Sequence, residues 1–177
     1  MKRILLLLLI ITYWKAGLAQ YKPADQGSTV QFTIQNFGFD VTGSFKGLNG
    51  TIDFDRDKPG TSRFDVEIDA AGINTDNNLR DEHLRGESYF DVKKYSKIRL
   101  QSVKIEAGNK PGSYLLEGKL TIKNNTQNVS FPFTATPVAD GYRFTGTFRI
   151  KRKDFGVGGT STISDELEVN LNIIAKK

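Results

Sequence analysis

The 177-residue chain has no cysteine, one histidine, one tryptophan and one methionine. Without cysteine there is no disulfide framework, no thiolate-held zinc or iron–sulfur centre and no thiol nucleophile. One histidine excludes a multi-histidine metal site within a single chain. There are no repeats, no low-complexity tract and no interdomain linker, so the length points to one domain able to bury a sizeable core. What the chain does have is twelve phenylalanines, six tyrosines and a formal charge of +5.

Part of that charge sits in the first nineteen residues. Lys2 and Arg3 precede an apolar run from Ile4 to Ile11, and small residues follow at Gly17 and Ala19. Basic start, apolar stretch and small-residue end are the order of a secretory signal, with cleavage expected between Ala19 and Gln20. A membrane span needs about 20 apolar residues, and Thr12 and Lys15 interrupt this run. Residues 1–19 are therefore expected to be a signal peptide and 20–177 the working domain, periplasmic or secreted. Removal takes Lys2, Arg3 and Lys15, leaving 22 of the 25 basic residues against 20 acidic ones, a net +2. A near-neutral chain loses the electrostatic argument for nucleic acid.

Beyond residue 29 the pattern has period two. Val30, Phe32 and Ile34 alternate with Gln31, Thr33 and Gln35; Phe64, Val66, Ile68 and Ala70 with Asp65, Glu67 and Asp69. The same alternation runs through Tyr114–Lys123, Val129–Ala135, Tyr142–Ile150 and Leu167–Ala175. One dry face and one wet face per strand imply antiparallel pairing and argue against a parallel α/β sheet. Asn49-Gly50 is a hairpin signal, but Gly47 and Gly50 leave no room for a strand between them. One long strand from Phe39 to Phe54, bent at its glycines, is the preferred reading. A break of phase between Leu100 and Val103 predicts a bulge. One helix is expected, capped by Asn78, running through Arg85 and ended by Gly86, with Asp81 and Arg85 spaced to pair. A further helical turn is expected from Asp91 to Tyr95. About eight such strands close into a barrel or split into a sandwich. In a small barrel the inward phenylalanines either fill the lumen or line a pocket, and periodicity does not separate the two.

Candidate chemistry is sparse. His83 with Asp81 or Glu82 is the one general-base pairing available, and it supports an alternative reading as an envelope enzyme. No Gly-x-Ser-x-Gly elbow is present. Asp53-x-Asp55-x-Asp57 opens like a calcium loop, but position twelve is Phe64, so it reads as a turn. Gly156-Val157-Gly158-Gly159 lacks the lysine and helix of a phosphate loop. The basic run Arg149, Lys151, Arg152 and Lys153 reads as a solvated strand edge. No catalytic set, metal site or cofactor is assigned.

Several stretches together resemble the YceI-like family of secreted lipid-binding proteins. They are Ser28-x-Val30-x-Phe32, Gly43-x-Phe45-x-Gly47-x-x-Gly50-x-Ile52-x-Phe54-Asp55, and Thr75 followed by Arg80-Asp81-x-His83-Leu84 and Tyr89-Phe90-Asp91. Tyr95-x-x-Ile98, Gly118-x-Leu120-Thr121-Ile122, Arg152-x-Asp154-Phe155-Gly156 and Ser164-Asp165-x-Leu167 complete the set. The resemblance implies an all-β fold: an antiparallel, eight-stranded, lipocalin-like barrel with one or two short helices. It also implies binding of a polyisoprenoid or similar long-chain lipid, often as a homodimer, with no stable membrane insertion and no firmly implied enzymatic activity. Candidate cavity residues are then Phe32, Ile34, Phe45, Phe54, Phe64, Val66, Leu84 and Phe90, with Leu100, Leu116, Leu120, Phe131, Phe133, Phe144 and Phe148. Arg80, Asp81, His83 and Arg152 are candidates for closing the barrel end or meeting a ligand head group.

Overall fold

Alternating apolar and polar side chains leave each strand with one face to bury, and a sheet that curls onto itself buries all of those faces at once. The computed structural model describes residues 19–160 and 162–177. The expected signal peptide thus lies, except for Ala19, outside the described residues.

The described residues form nine antiparallel strands. They are β1 (Gln20–Asn36), β2 (Phe39–Phe45), β3 (Asn49–Asp53), β4 (Arg63–Asp69), β5 (Lys97–Ala107), β6 (Ser113–Ile122), β7 (Asn125–Val138), β8 (Gly141–Lys151) and β9 (Ile163–Lys176). Helix α1 (Asn78–Arg85) lies between β4 and β5. From β3 to β9 each strand pairs with the next, and β9 returns to β1 with Ile34 opposite Leu167 and Val30 opposite Leu171. β2 and β3 both pair with β1, at its C-terminal and N-terminal ends respectively. They are one strand bent at residues 46–48, so the barrel wall has eight strands.

The bend has a specific fastening. Gly47 takes φ +80°, and a Cβ there would fall 2.2 Å from the Asp69 carboxylate. The backbone N–H groups of Gly47 and Leu48, which have no strand partner at the corner, donate to the Asp25 carboxylate at 3.1 and 2.8 Å. Asp25 stands in a break of the β1–β9 register between Ala24 and Thr29. A bulge on one strand thus anchors the corner of its neighbour. The expected bulge on β5 is also present: register shifts between Ser102 and Lys104, leaving Val103 exposed.

Some expectations need correction. β1 begins ten residues before the regular alternation, because Pro23 and the bulge around Gly27 hide its period. The helix cap is Asn77, whose side chain accepts from Arg80 N at 3.0 Å, while Asn78 is already helical. Asp81 does not pair with Arg85. Asp81 is buried against Thr75, and Arg85 donates to the Ala71 and Ile73 carbonyls. The stretch from Asp91 to Tyr95 makes one bonded turn onto the Asp91 carbonyl. The basic run is a free edge on one side only. β8 pairs with β9 along its whole length, where Arg149 reaches Glu166 and Glu168 at 3.2 and 3.5 Å. Toward β7 the pairing runs only from Gly141 to Gly146. Above that the two strands diverge, and the short turn Arg152–Phe155 fills the split. Gln127 and Asn125 tie it there by donating to the Asp154 and Phe155 carbonyls at 3.0 and 2.9 Å.

Candidate ligand-binding cavity

The barrel is filled at one end and hollow at the other. Where β1, β6 and β8 begin and β3, β7 and β9 end, aromatic rings close the lumen. Phe54 lies at the centre, 3% exposed, with the rings of Tyr142, Tyr114, Phe144 and Phe64 at 5.1, 5.2, 5.2 and 6.2 Å. All four are edge-on, the arrangement that puts positive ring edges against negative faces. Burial pushes the Tyr114 hydroxyl above its ordinary pKa.

Above this plug the lining opens into a cavity of about 230 Å3. The burial gradient along β9 shows it directly. Leu167, Val169 and Leu171 point inward yet are only half-buried, whereas Ile173 and Ala175 below them are buried. β1 behaves alike: Val30, Phe32 and Ile34 are half-buried and Tyr21 is buried. Inward apolar side chains that stay reachable by water are the mark of an unfilled lumen. Phe131 and Phe148, stacked at 4.4 Å, lie along its wall on the side of the β7–β8 split. Phe32, Phe45 and Phe90 form a second aromatic row, with centroids at 5.7 and 5.5 Å. Gly43 makes room for that row: a Cβ would lie 2.3 Å from the Phe32 ring.

Of the fifteen apolar candidates, fourteen line the cavity and Phe54 does not. Phe54 fails because alternation tells which face a residue takes, not how deep in the lumen it sits. Among the residues overlooked are Val30, in phase with Phe32 and Ile34 on β1, and Leu167, Val169 and Leu171 on β9, a strand with no assigned candidate. Applying the β1–β9 alternation evenly would have found them.

The four polar candidates separate into different tasks. Asp81 is buried and accepts from both Thr75 N and Thr75 Oγ1. Thr75 in turn accepts from Arg80: Nε reaches its hydroxyl at 2.7 Å and Nη2 its carbonyl at 2.6 Å. Asp81 therefore fixes Thr75, and Thr75 fixes the guanidinium. Arg80 lines the cavity and is exposed, which puts its charge at the mouth. Its Nη1 makes no hydrogen bond within the described residues. Arg152 also borders the cavity but is buried, donating to the carbonyls of Val157, Ser164, Ile163 and Gly159 at 2.8 to 3.2 Å. It gathers the glycine-rich loop around itself so closely that a Cβ at Gly158 (φ +68°) would lie 2.9 Å from its Nη1. His83 is exposed and packs edge-on against Tyr89 at 4.9 Å. Within the described residues neither Asp81 nor Glu82 bonds to it, so the general-base pairing open in the sequence is not assembled. The Asp53–Asp57 stretch is a turn in which Asp55 accepts from Asp57 N and Lys58 N at 2.9 and 3.1 Å.

The profile of the YceI-like domain matches residues 21–175, nearly all of the described chain. The chain belongs to the YceI-like family. A UPF0312 protein of Pseudomonas savastanoi pv. phaseolicola is 30% identical over 155 residues, covering 83% of this chain and 80% of that protein. Among solved structures, the YceI protein of Campylobacter jejuni superposes with a TM-score of 0.69 at 30% identity, covering 77% and 85% of the two chains. BcnA of Burkholderia cenocepacia gives a TM-score of 0.81 at 24% identity over 88% and 99%, a likeness of fold. A domain of Saccharophagus degradans described as polyisoprenoid binding shares the fold at a TM-score of 0.69 and 16% identity, over 90% and 99%. The YceI-like assignment fits the closed antiparallel barrel with helix α1.

Proposed function

We propose that this YceI-like barrel binds a single-chain amphiphile, a polyisoprenoid or similar lipid. The chain lies in the hollow half and the head group stays at the mouth beside Arg80. The observation that carries the reading is the row of inward but half-buried apolar residues on β1 and β9, which a lipid chain would cover. The seven β1 residues from Val30 to Asn36 span roughly 20 Å at strand rise, so a chain enters deeply before it meets the aromatic plug. Each methylene buried there contributes about 0.8 kcal/mol, or roughly 4 kcal/mol per five-carbon isoprene unit. Three or four units offset the cost of immobilising the chain. The pre-oriented Arg80, whose Nη1 has no hydrogen bond among the described residues, suits an oxygen-bearing head group. The fold shared with a domain described as polyisoprenoid binding supports the same ligand class. The protein acts in the periplasm or outside the cell once residues 1–19 are removed. It works as a carrier or reservoir rather than a catalyst, since Asp81 is committed to holding Thr75 and His83 stands outside the cavity lining.

Native mass spectrometry of protein purified from its own host, with solvent extraction of the same sample, tests this. The expected result is a bound chain-type lipid at one per barrel, with the oligomeric state read from the same spectrum. Protein that is empty as purified, and stays empty after incubation with geranylgeraniol and with palmitate, would overturn the reading.

A further inference from the structure

The mouth of the cavity carries an apolar feature that the lumen does not use. β1 and β2 are joined by a tight turn whose tip is Phe37-Gly38-Phe39. Phe37 is 73% exposed and Phe39 77%. Burial of such side chains is the normal outcome, and two on one turn form an exposed apolar projection. The turn is at the open end. Asn36, just before it, and Val41, two residues after it, line the cavity, and so does Ile163, whose neighbour Thr162 accepts from Phe37 N at 3.5 Å. Leu79 is also exposed and adjoins Arg80 at the mouth, on a segment that β2 holds through paired bonds between Ser44 and Asn74. The apolar lining thus continues out of the lumen onto the rim.

We infer that this rim docks on a lipid bilayer surface, with Phe37 and Phe39 entering the acyl–headgroup boundary and the mouth facing the membrane. The area argues for a bilayer over a second copy of the chain. Two aromatic side chains offer at most about 375 Å2 at these exposures, against about 800 Å2 per partner in a stable interface. A bilayer needs no matching surface, only depth, and a projecting turn supplies depth. The charges around the tip do not favour anionic lipid, since Asp40 follows Phe39, and Asp76 and Glu82 outnumber Arg80 beside Leu79. Docking is therefore apolar, insensitive to salt and independent of anionic lipid. The inference takes its purpose from the proposed chain binding, because a chain can pass from bilayer to lumen without crossing water. The docking itself is measured separately.

The absence of cysteine makes the test direct. Single-cysteine variants Phe37→Cys and Val103→Cys, each carrying an environment-sensitive fluorophore, are mixed with phosphatidylcholine vesicles. Val103 is exposed on the barrel wall, away from the rim. The Phe37 label shifts to the blue and the Val103 label does not. In flotation with the same vesicles, the Phe37→Ser/Phe39→Ser variant partitions at least about tenfold more weakly than wild type, the loss expected for withdrawing an apolar ring from lipid. Its melting temperature stays unchanged, because both rings are already in water. Equal flotation of wild type and variant, no flotation of either, or equal response of the two labels overturns the inference. So does a concentration-dependent dimer of wild type, lost in the variant, without vesicle binding. Bound lipid is measured by native mass spectrometry on the same samples. An empty but vesicle-bound barrel sinks the chain-binding reading alone, and a loaded barrel that ignores vesicles sinks the docking alone.

Discussion

Phe54→Ala tests whether the aromatic plug, rather than the lumen, holds the barrel together. Phe54 meets four other rings edge-on and belongs to the cluster that includes Ile105, Leu116 and Ala175 at the closed end. Its removal deletes a buried ring and leaves a void that edge-on neighbours cannot fill without giving up their own geometry. Phe→Ala in such a setting costs about 3–5 kcal/mol. A domain of this size has about 5–15 kcal/mol in total, so about a fifth or more of the stability goes. At about 2–4 °C per kcal/mol, the melting temperature falls by roughly 6–20 °C. Leu171→Ala is the matched control. Leu171 already faces unfilled space, so truncation adds little new void, and the loss stays below about 2 kcal/mol. Thermal unfolding followed by circular dichroism measures both variants. A Phe54→Ala melting temperature within about 2 °C of wild type would refute the division into a stabilising end and a hollow end. So small a shift corresponds to no more than about 1 kcal/mol in a domain of this size.

Other perturbations separate the remaining roles. Leu171→Glu places a carboxylate against the expected lipid chain, so uptake of a fluorescent fatty acid falls more than about a hundredfold, while the fold persists because water reaches the site. Arg152→Ala strips the carbonyls of Val157, Ser164, Ile163 and Gly159 of their donor and costs at least about 3 kcal/mol by denaturant titration. Arg152→Lys does not restore it, because a point charge cannot serve the planar fork. The Arg99 guanidinium, bonded to Asp65 at 2.7 and 2.6 Å, holds that carboxyl below its ordinary 3.8. The folded value being the lower one, the pair stabilises the fold above the ordinary value and is lost as pH falls through the folded value. Both side chains are nearly half exposed, so Asp65→Asn costs less than about 1 kcal/mol at neutral pH. That difference from wild type shrinks as pH falls through the folded value in acid melts; a difference that does not change with pH would assign the loss to packing.

How far the sequence could be read depended on what each signal reports. Period two placed the strands because burial on one face leaves a local trace, and a lost beat at Val103 marked the β5 bulge. The corner at Gly47 was legible from glycine spacing, but its fastening by Asp25 was not, because the two lie on different strands and meet only through barrel closure. The filled and hollow halves were beyond the sequence for a related reason. Phe54 and Phe148 occupy equivalent inward positions, and only the register around the whole wall sets one in the plug and the other beside empty space. The rim was legible in part. Asn78 fits a cap by residue type, but Asn77 before it makes the cap, and Asp81 with Arg85 fit a helix pair until Thr75 claimed Asp81. The exposure of Phe37 and Phe39 could not be foreseen, since phenylalanine in a strand-rich chain reads as core.

A lipid chain that enters the lumen from the mouth is held there by apolar burial in proportion to its length. Affinity measured against a series of saturated fatty acids of increasing length tests it most directly. Affinity is expected to rise about fourfold per added methylene, then level off once the chain reaches the plug at Phe54 and Tyr114. Affinity that does not change with chain length would contradict it.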